Sequence, residues 1–455
     1  MMSARTFTHI FSFNARSNSR GFTLVELMVA VVLGILVSIG LVTLFSATSK
    51  ANRVQDALAQ LQENGRYAVN RLNYDLRLES RQLMASSGFL ASAPGTNGAV
   101  NPVLAPQVYV ASLPFPDGAL GPPATWDAGA TMSWWPLSPR YFIQGYECST
   151  SCTVPTGTAQ PPAAGTAAGQ RVQKSDVLLV RYLNTHGWSS YNGEVATTCA
   201  GPNLTSLTLT PVTTSPINSP ASNFVNNDLA MLTYSNGAAY IFQVSVVGNV
   251  LTPTNIVHAG TIGGCSNSGT GPEVTLFNFS RNFITATYWL QLVADQNSTG
   301  RLIPSLFRQE ADNAGNVNAL ELIQGAEQLD FLYGVQASDG SNRYLTADDV
   351  QASTLLTCPL PPAQYTQFIP GTMEATGCLW RAVKTIEVHV LVDSVNNMYD
   401  LNNAEMAYLY NPSYGSSYTY NGVAAPPANQ VGGIAFGKMM RREFVSLVSI
   451  RNFNP

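Results

Sequence analysis

One acid stands in an otherwise apolar run. From Leu24 to Phe45 the only polar side chains are Glu26, Ser38 and Thr43. A hydroxyl can bond back to its own helix, but a carboxylate at the centre of a bilayer costs ~2.5–3.5 kcal/mol on insertion scales, and less near an end. Glu26 therefore needs a cation, and proteolysis would supply one. The short leader carries Arg5, Arg16 and Arg20, has no acid, and ends in Gly21, a residue easily held extended in a protease cleft. Hydrolysis of the Gly21–Phe22 bond would leave an α-ammonium on Phe22, one helical turn from Glu26. That ammonium, on the same subunit or a neighbour, is the partner the buried carboxylate lacks.

The six cysteines are the other residues with chemistry to offer. Cys148, Cys152, Cys199, Cys265, Cys358 and Cys378 all follow the apolar run. An even number on an exported side points to disulfides in an oxidising compartment. Local loop closure favours Cys148 with Cys152 and Cys358 with Cys378, which leaves Cys199 with Cys265 by elimination. Six cysteines permit about 15 connectivities, so other pairings stay open. Zinc at Cys148 and Cys152 is the rival reading, but no second close Cys or His pair accompanies them, so no metal site is expected.

Other apparent motifs dissolve on inspection. Gly432 to Lys438 imitates a phosphate-binding loop but continues into Met439, where Ser or Thr would have to hold magnesium. His186, His258 and His389 are scattered, and His389 falls in a strand pattern, where a hydrogen-bonded structural histidine is the ordinary reading. Asp312 to Asn316 and Asp339 to Asn342 carry oxygen ligands, but their order is that of turns and not of a calcium loop. Asn203, Asn278 and Asn297 head glycosylation-like triplets that are frequent by chance. No catalysis and no cofactor are expected.

The elements that must position Glu26 follow from periodicity. Leu27 to Phe45 would be roughly 28 Å long as a helix, enough to cross a bilayer core. The positive-inside tendency keeps the arginine-bearing leader in the cytoplasm and sends the rest outward. A secretory signal cut near Ser46 to Ser49 is an alternative, but its apolar region would be too long. A plain signal anchor fits the length and explains neither Gly21 nor Glu26. Beyond Phe45 the apolar positions Val54, Leu58, Leu61, Gly65, Ala68, Leu72 and Leu76 recur at steps of three and four. That pattern extends the helix as an amphipathic half, with Lys50, Arg53, Asp56, Gln60, Glu63, Arg71 and Asp75 mostly on other faces. The helix is expected to end near Ser86 to Gly88.

The remainder reads as β-structure. Charged residues are only 11% of the chain and the net charge is −4, which describes a loop- and strand-rich exported domain with no basic face for nucleic acid. Strands are predicted at 175–182, 204–209, 239–246, 286–293, 303–308, 319–323, 327–335, 385–392 and 441–452, from β-branching and alternation between Asn, Gly and Ser clusters. Residues 91–139, with Trp126, Trp134 and Trp135, read as a long loop with short strands, the tryptophans more suited to plugging a small core than to a ligand platform. Residues 153–170 are low in complexity and read as a flexible loop.

Gly21-Phe22-Thr23-Leu24-Val25-Glu26, with the apolar run behind it, resembles the signal of type IV prepilins and type II secretion pseudopilins. The segments 175–182, 321–335, 383–392 and 442–452 are similar to PilW-type minor pilins. This resemblance implies cleavage after Gly21 by a prepilin peptidase, N-methylation of Phe22, and Glu26 as the carboxylate that docks subunits. It implies an α+β fold, a long N-terminal helix packed on an antiparallel β-rich domain. The expected layout is a leader at 1–21, a transmembrane half at 22–46, an amphipathic half at 47–85, and an exported pilin domain with long loop inserts at 86–455. Implied partners are other minor pilins, the major pilin, the inner-membrane assembly machinery and membrane lipid. The implied role is in a complex that primes and tops a type IV pilus, supporting twitching, adhesion and DNA uptake. The J-type minor pseudopilin of type II secretion is the alternative, and an exported binding module acting through residues 91–170 and 200–285 is another.

Overall fold

The computed structural model describes residues 23–79, 90–92, 100–102, 106–121, 135–137, 142–148, 154–185, 187–210, 224–235, 239–257, 260–263, 265, 273–296, 300–336, 340–352, 380, 383–398, 408–413, 416–420 and 438–450. The chain divides into two units, Met1–Asp56 and Ala57–Pro455. One helix, α1 (Leu24–Glu79), contributes to both. Its expected end near residues 86–88 lies outside the described residues.

In the first unit α1 is apolar on every side from Leu27 to Phe45, save for Ser38 and Thr43. Large side chains from Leu24 to Phe45 are all at least half exposed, as a segment made for lipid requires. Its two hydroxyls bond back to the helix as the sequence predicts, Ser38 Oγ donating to Gly34 O at 2.7 Å and Thr43 Oγ1 to Gly40 O at 2.9 Å.

In the second unit α1 turns amphipathic. Leu61, Gly65, Ala68, Leu72 and Leu76 are buried in a stripe at steps of three and four. They pack into one core with two antiparallel sheets. A four-stranded sheet runs in the order Asn342–Leu345, Ala326–Gln336, Val383–Asp393, Arg441–Ser449. Alternation sets its inner face: Ile386, Val388, Val390 and Val392 point into the core together with Leu329, Phe331 and Tyr333. A five-stranded sheet runs Val317–Gln324, Leu302–Asp312, Phe283–Ala294, Val177–Leu183, Ile143–Tyr146. The chain passes from one sheet to the other at Gly325. There φ is +81°, and a Cβ would lie 2.9 Å from Val395 Cγ2, so only glycine fits.

Val177–Leu183 is buried at every residue, which explains its unbroken apolar run. Leu178, Val180 and Tyr182 face the helix-lined core. On the other side Arg181 and Leu183 meet the segment 106–121: Arg181 pairs with Asp117, lies 5.0 Å from the Phe115 ring, and donates to Thr285 Oγ1 at 3.0 Å. Trp135 is buried, its Nε1–H donating to Val110 O at 2.7 Å. It plugs a small core, as expected. Trp126 and Trp134 lie outside the described residues.

The stretch read as a flexible loop at 153–170 is tied down where it is described. Gly169 N–H donates to Leu292 O at 2.7 Å, Leu292 N–H to Gln170 O at 2.9 Å, and Ala159 is buried. Backbone hydrogen bonding to a sheet strand needs no side-chain signal, so low complexity concealed it.

A larger departure concerns residues 188–278. Where the sequence offered two isolated strands and a loop insert, a sheet forms in the order Val195–Ala200, Asn203–Leu209, Val250–Thr254, Ala239–Val247, Leu229–Tyr234, Val274–Asn278, Trp188–Ser189. Gln107–Val108 joins it in parallel with Ala239–Val247. The first strand in this order also approaches Val274–Asn278, so the sheet curls into a barrel-like wrap around its own core. Several of its strands are rich in Thr, Ser and Ala, and Asn203–Leu209 with Val250–Thr254 and Leu229–Tyr234 with Val274–Asn278 pair across long stretches of chain, which weakens the local pattern.

Candidate assembly site

Glu26 sits in the first turn of α1 and closes that turn on itself. Thr23 N–H and Thr23 Oγ1 both donate to Glu26 Oε2 at 3.0 Å, and Glu26 N–H donates back to Thr23 Oγ1 at 3.2 Å. This is a capping box, Thr-x-x-Glu, which satisfies helix N–H groups that have no carbonyl one turn earlier. The pattern is visible in Thr23-Leu24-Val25-Glu26, yet the sequence reading assigned Glu26 only to an ammonium. Gly21 and Phe22, the residues expected to be cut apart and methylated, lie outside the described residues. What the geometry gives is a carboxylate held at the very start of an exposed apolar rod, already hydrogen-bonded within its own chain.

A second set of contacts fixes the amphipathic half of α1 to the sheets. Asp75, expected on an outer face, is instead fully buried. Arg308 Nε and the Tyr288 hydroxyl each donate to Asp75 Oδ2 at 2.6 Å. Arg308 reaches on to the Tyr182 hydroxyl at 2.6 Å and to Glu310 at 2.6 Å. Arg71 lies 3.4 Å from Asp75, one turn back. A charge is tolerated inside because an opposite charge and two phenols meet it there. Burial, reinforced by the negative charge of Asp75, pushes the Tyr288 phenol up, so it stays protonated and donates. Burial works against the charge on Arg308, but Tyr288 and Asp75 hold its pKa above the ordinary arginine range.

The C-terminal strand adds the third contact. Asn73 Nδ2 donates to Ser446 Oγ at 2.9 Å. The Phe444 ring lies flat against the helix at Gly65, close enough that a Cβ there would overlap it. Arg441 of the same strand clamps Glu327 with two bonds, 2.6 and 2.9 Å. Glu443 meets His389 Nδ1 at 2.6 Å, so His389 is a partnered structural side chain, as expected. His186 and His258 lie outside the described residues.

The cysteines fall as follows. Cys199 and Cys265 are joined, with Cα atoms 6.1 Å apart, the pair left by elimination in the sequence reading. Cys148 is also disulfide-bonded. Cys152, Cys358 and Cys378 lie outside the described residues. Among the described residues no group of three or more His, Cys, Asp or Glu is arranged to hold a metal ion. Asp312 serves its turn, accepting from the N–H groups of Ala314 and Asn316 at 3.0 and 2.8 Å.

Two family models match the chain. Residues 16–42 match the prokaryotic N-terminal methylation motif, and residues 288–452 match the type IV pilus-assembly protein W. The first holds Glu26 and its capping threonine. The second holds Tyr288, Arg308, Glu327 and Phe444, the residues that receive the helix or lock the strand that does. Neither match reaches residues 43–287. No curated protein and no solved structure matches the chain.

Proposed function

We propose, since this chain belongs to the PilW family of type IV pilins and is a minor pilin of type IV pilus assembly, that Glu26 docks it into the growing filament. The role is structural, exercised through other pilins and the pilus machinery, with α1 as membrane anchor. In this reading a prepilin peptidase cuts after Gly21, Phe22 becomes a methylated N-terminus, and its ammonium meets a Glu26 carboxylate between subunits. The leader 1–21 stays cytoplasmic, 22–46 spans the inner membrane, and the domain from 86 onward faces the periplasm before the filament carries it to the surface. Major and other minor pilins are the direct neighbours, and the complex primes assembly for twitching and adhesion.

The observation that carries this reading is a single acid in the first turn of an exposed apolar helix, inside the stretch that matches the methylation motif. The capping box adds a step. Thr23 occupies Glu26 within the subunit, so docking shares or exchanges those hydrogen bonds for an ion pair. A subunit capping the filament has no neighbour above to supply an amine, so a retained Glu26 fits a position below the extreme tip. Replacing Glu26 by Ala is expected to spare membrane insertion and cleavage while sharply reducing recovery of the protein in sheared pili. Normal recovery would refute the docking role.

A further inference from the structure

The chain enters and leaves the curled sheet at 188–278 at one point, and Gln107–Val108, hydrogen-bonded along Ala239–Val247, reaches it from outside that stretch. Val177–Leu183 and Phe283–Ala294 are antiparallel neighbours in the five-stranded sheet, with Leu183 opposite Phe283. Just beyond that pair, Asn184 N–H donates to Asn282 O at 3.0 Å. The register of the host sheet thus runs up to residue 183 and resumes at 283. Everything between hangs from the tip of what would otherwise be a hairpin, and short turns suffice for such a connection.

The inserted stretch has the parts of a folding unit. Its core is built from Trp188, Leu207, Leu232, Phe242 and Leu276 with their neighbours, and among the described residues Tyr109 is its sole member from outside 184–282. Among the described residues the helix-lined core takes none from 184–282. The Cys199–Cys265 bridge closes inside the insert. So do its buried polar ties: Asn278 Nδ2 donates to Asp228 Oδ2 at 3.0 Å, and Leu229 N–H to Ser280 Oγ at 2.8 Å. Between the two cores lies a third cluster, where Phe279 and Phe283 stack 4.4 Å apart against Val108, Phe115 and Leu183. The family match begins after the insert, at residue 288.

From these observations we infer that residues 184–282 are an inserted module, displayed by the pilin scaffold, and that the scaffold folds and assembles without it. The inference rests on the minor-pilin reading for its assembly half alone; its folding half stands independently.

Hydrogen exchange on the full chain in detergent, with Cys199→Ser and Cys265→Ser together, tests the folding half. Protection in Asn203–Leu209 and Ala239–Val247 is expected to fall by about tenfold or more, while Leu302–Asp312 and Val383–Asp393 keep theirs. A parallel fall in both sets would overturn the inference. Should neither set change, the decision passes to a chain with 185–281 replaced by Asn-Gly. Native protection of the scaffold strands in that chain supports separability, and free exchange there refutes it. The same deletion read in cells tests assembly: recovery in sheared pili near the unmodified level is expected, and loss of recovery by a folded scaffold sinks the display role. A failure of the minor-pilin reading itself would show differently, as absence of the unmodified chain from pili.

Discussion

At Gly65 the helix and the C-terminal strand approach closely, because the Phe444 ring occupies the space a side chain would take. Gly65→Val forces the ring or the strand aside, and overpacking of this kind costs about 1–3 kcal/mol. The helical gain from losing a glycine is small for a β-branched residue. Chemical denaturation of the full chain in detergent should therefore show the variant less stable by about that amount. In a Phe444→Ala background the penalty should shrink, since the two positions share one contact; an equal penalty in both backgrounds would show that the ring is not its cause. At this scale the sequence was partly legible. Gly65 lay in the apolar stripe, and Glu26 stood out by its surroundings. Thr23 was passed over although its spacing to Glu26 is a capping signature. The charge of Asp75 predicts exposure, yet the residue falls in phase with Leu72 and one residue before Leu76. A polar residue in phase with a core stripe signals a buried partner, and Arg308 is that partner.

Elements obey the same logic with larger stakes. Helix α1 is held on the five-stranded sheet by the Asp75, Arg308, Tyr288 and Tyr182 cluster as well as by its apolar stripe. Asp75→Leu leaves the Arg308 charge without its fully buried counter-ion, and breaking a buried pair from one side costs about 3–5 kcal/mol. Arg308 keeps Glu310 at 2.6 Å, so the lower end of that range is expected. The double variant Asp75→Leu with Arg308→Met removes both charges and should recover much of the loss. Denaturant midpoints of the two variants check this, and a double variant no better than the single one would count against the charge argument. Strands from 283 onward were readable because alternation and β-branching are strong in them, as in Thr385-Ile386-Glu387-Val388-His389-Val390. Within the insert, Asn203–Leu209 and Ala239–Val247 lie where alternation predicts strands, whereas the short or Thr-rich strands and the long-range pairings that close the sheet leave no local pattern.

Across the whole molecule, the distribution of buried acids sets how stability responds to pH. Asp176 and Asp330 lie inside the second unit with Glu147 near both, and burial pushes both carboxyls up, Asp330 to about 7. The Asp176 carboxyl is raised although Cys148 and Phe331 N–H groups donate to it at 3.0 and 3.2 Å; desolvation and the neighbouring acids outweigh those bonds. The Tyr410 hydroxyl donates to Asp330, Gln328 Nε2 lies 3.5 Å from it, and His389 is its cross-strand neighbour. Farther along the same sheet Asp393 is raised by burial and by Glu327, which Arg441 clamps. A carboxyl whose folded pKa lies above its unfolded value near 3.9 binds its proton more tightly in the native state. Its contribution to stability is complete below about pH 4 and is lost as pH rises through the folded pKa. The second unit should accordingly unfold at a lower temperature at pH 8 than at pH 5.5, the reverse of a protein whose carboxylates are held ionised by ion pairs. Asp330→Asn keeps the size and a neutral polar group, so it should flatten that slope, with most of its benefit at the alkaline end. Melting curves of the full chain in detergent across this range decide the matter: a melting temperature that climbs with pH, or a slope untouched by the asparagine, would mean these acids are ionised in the native protein.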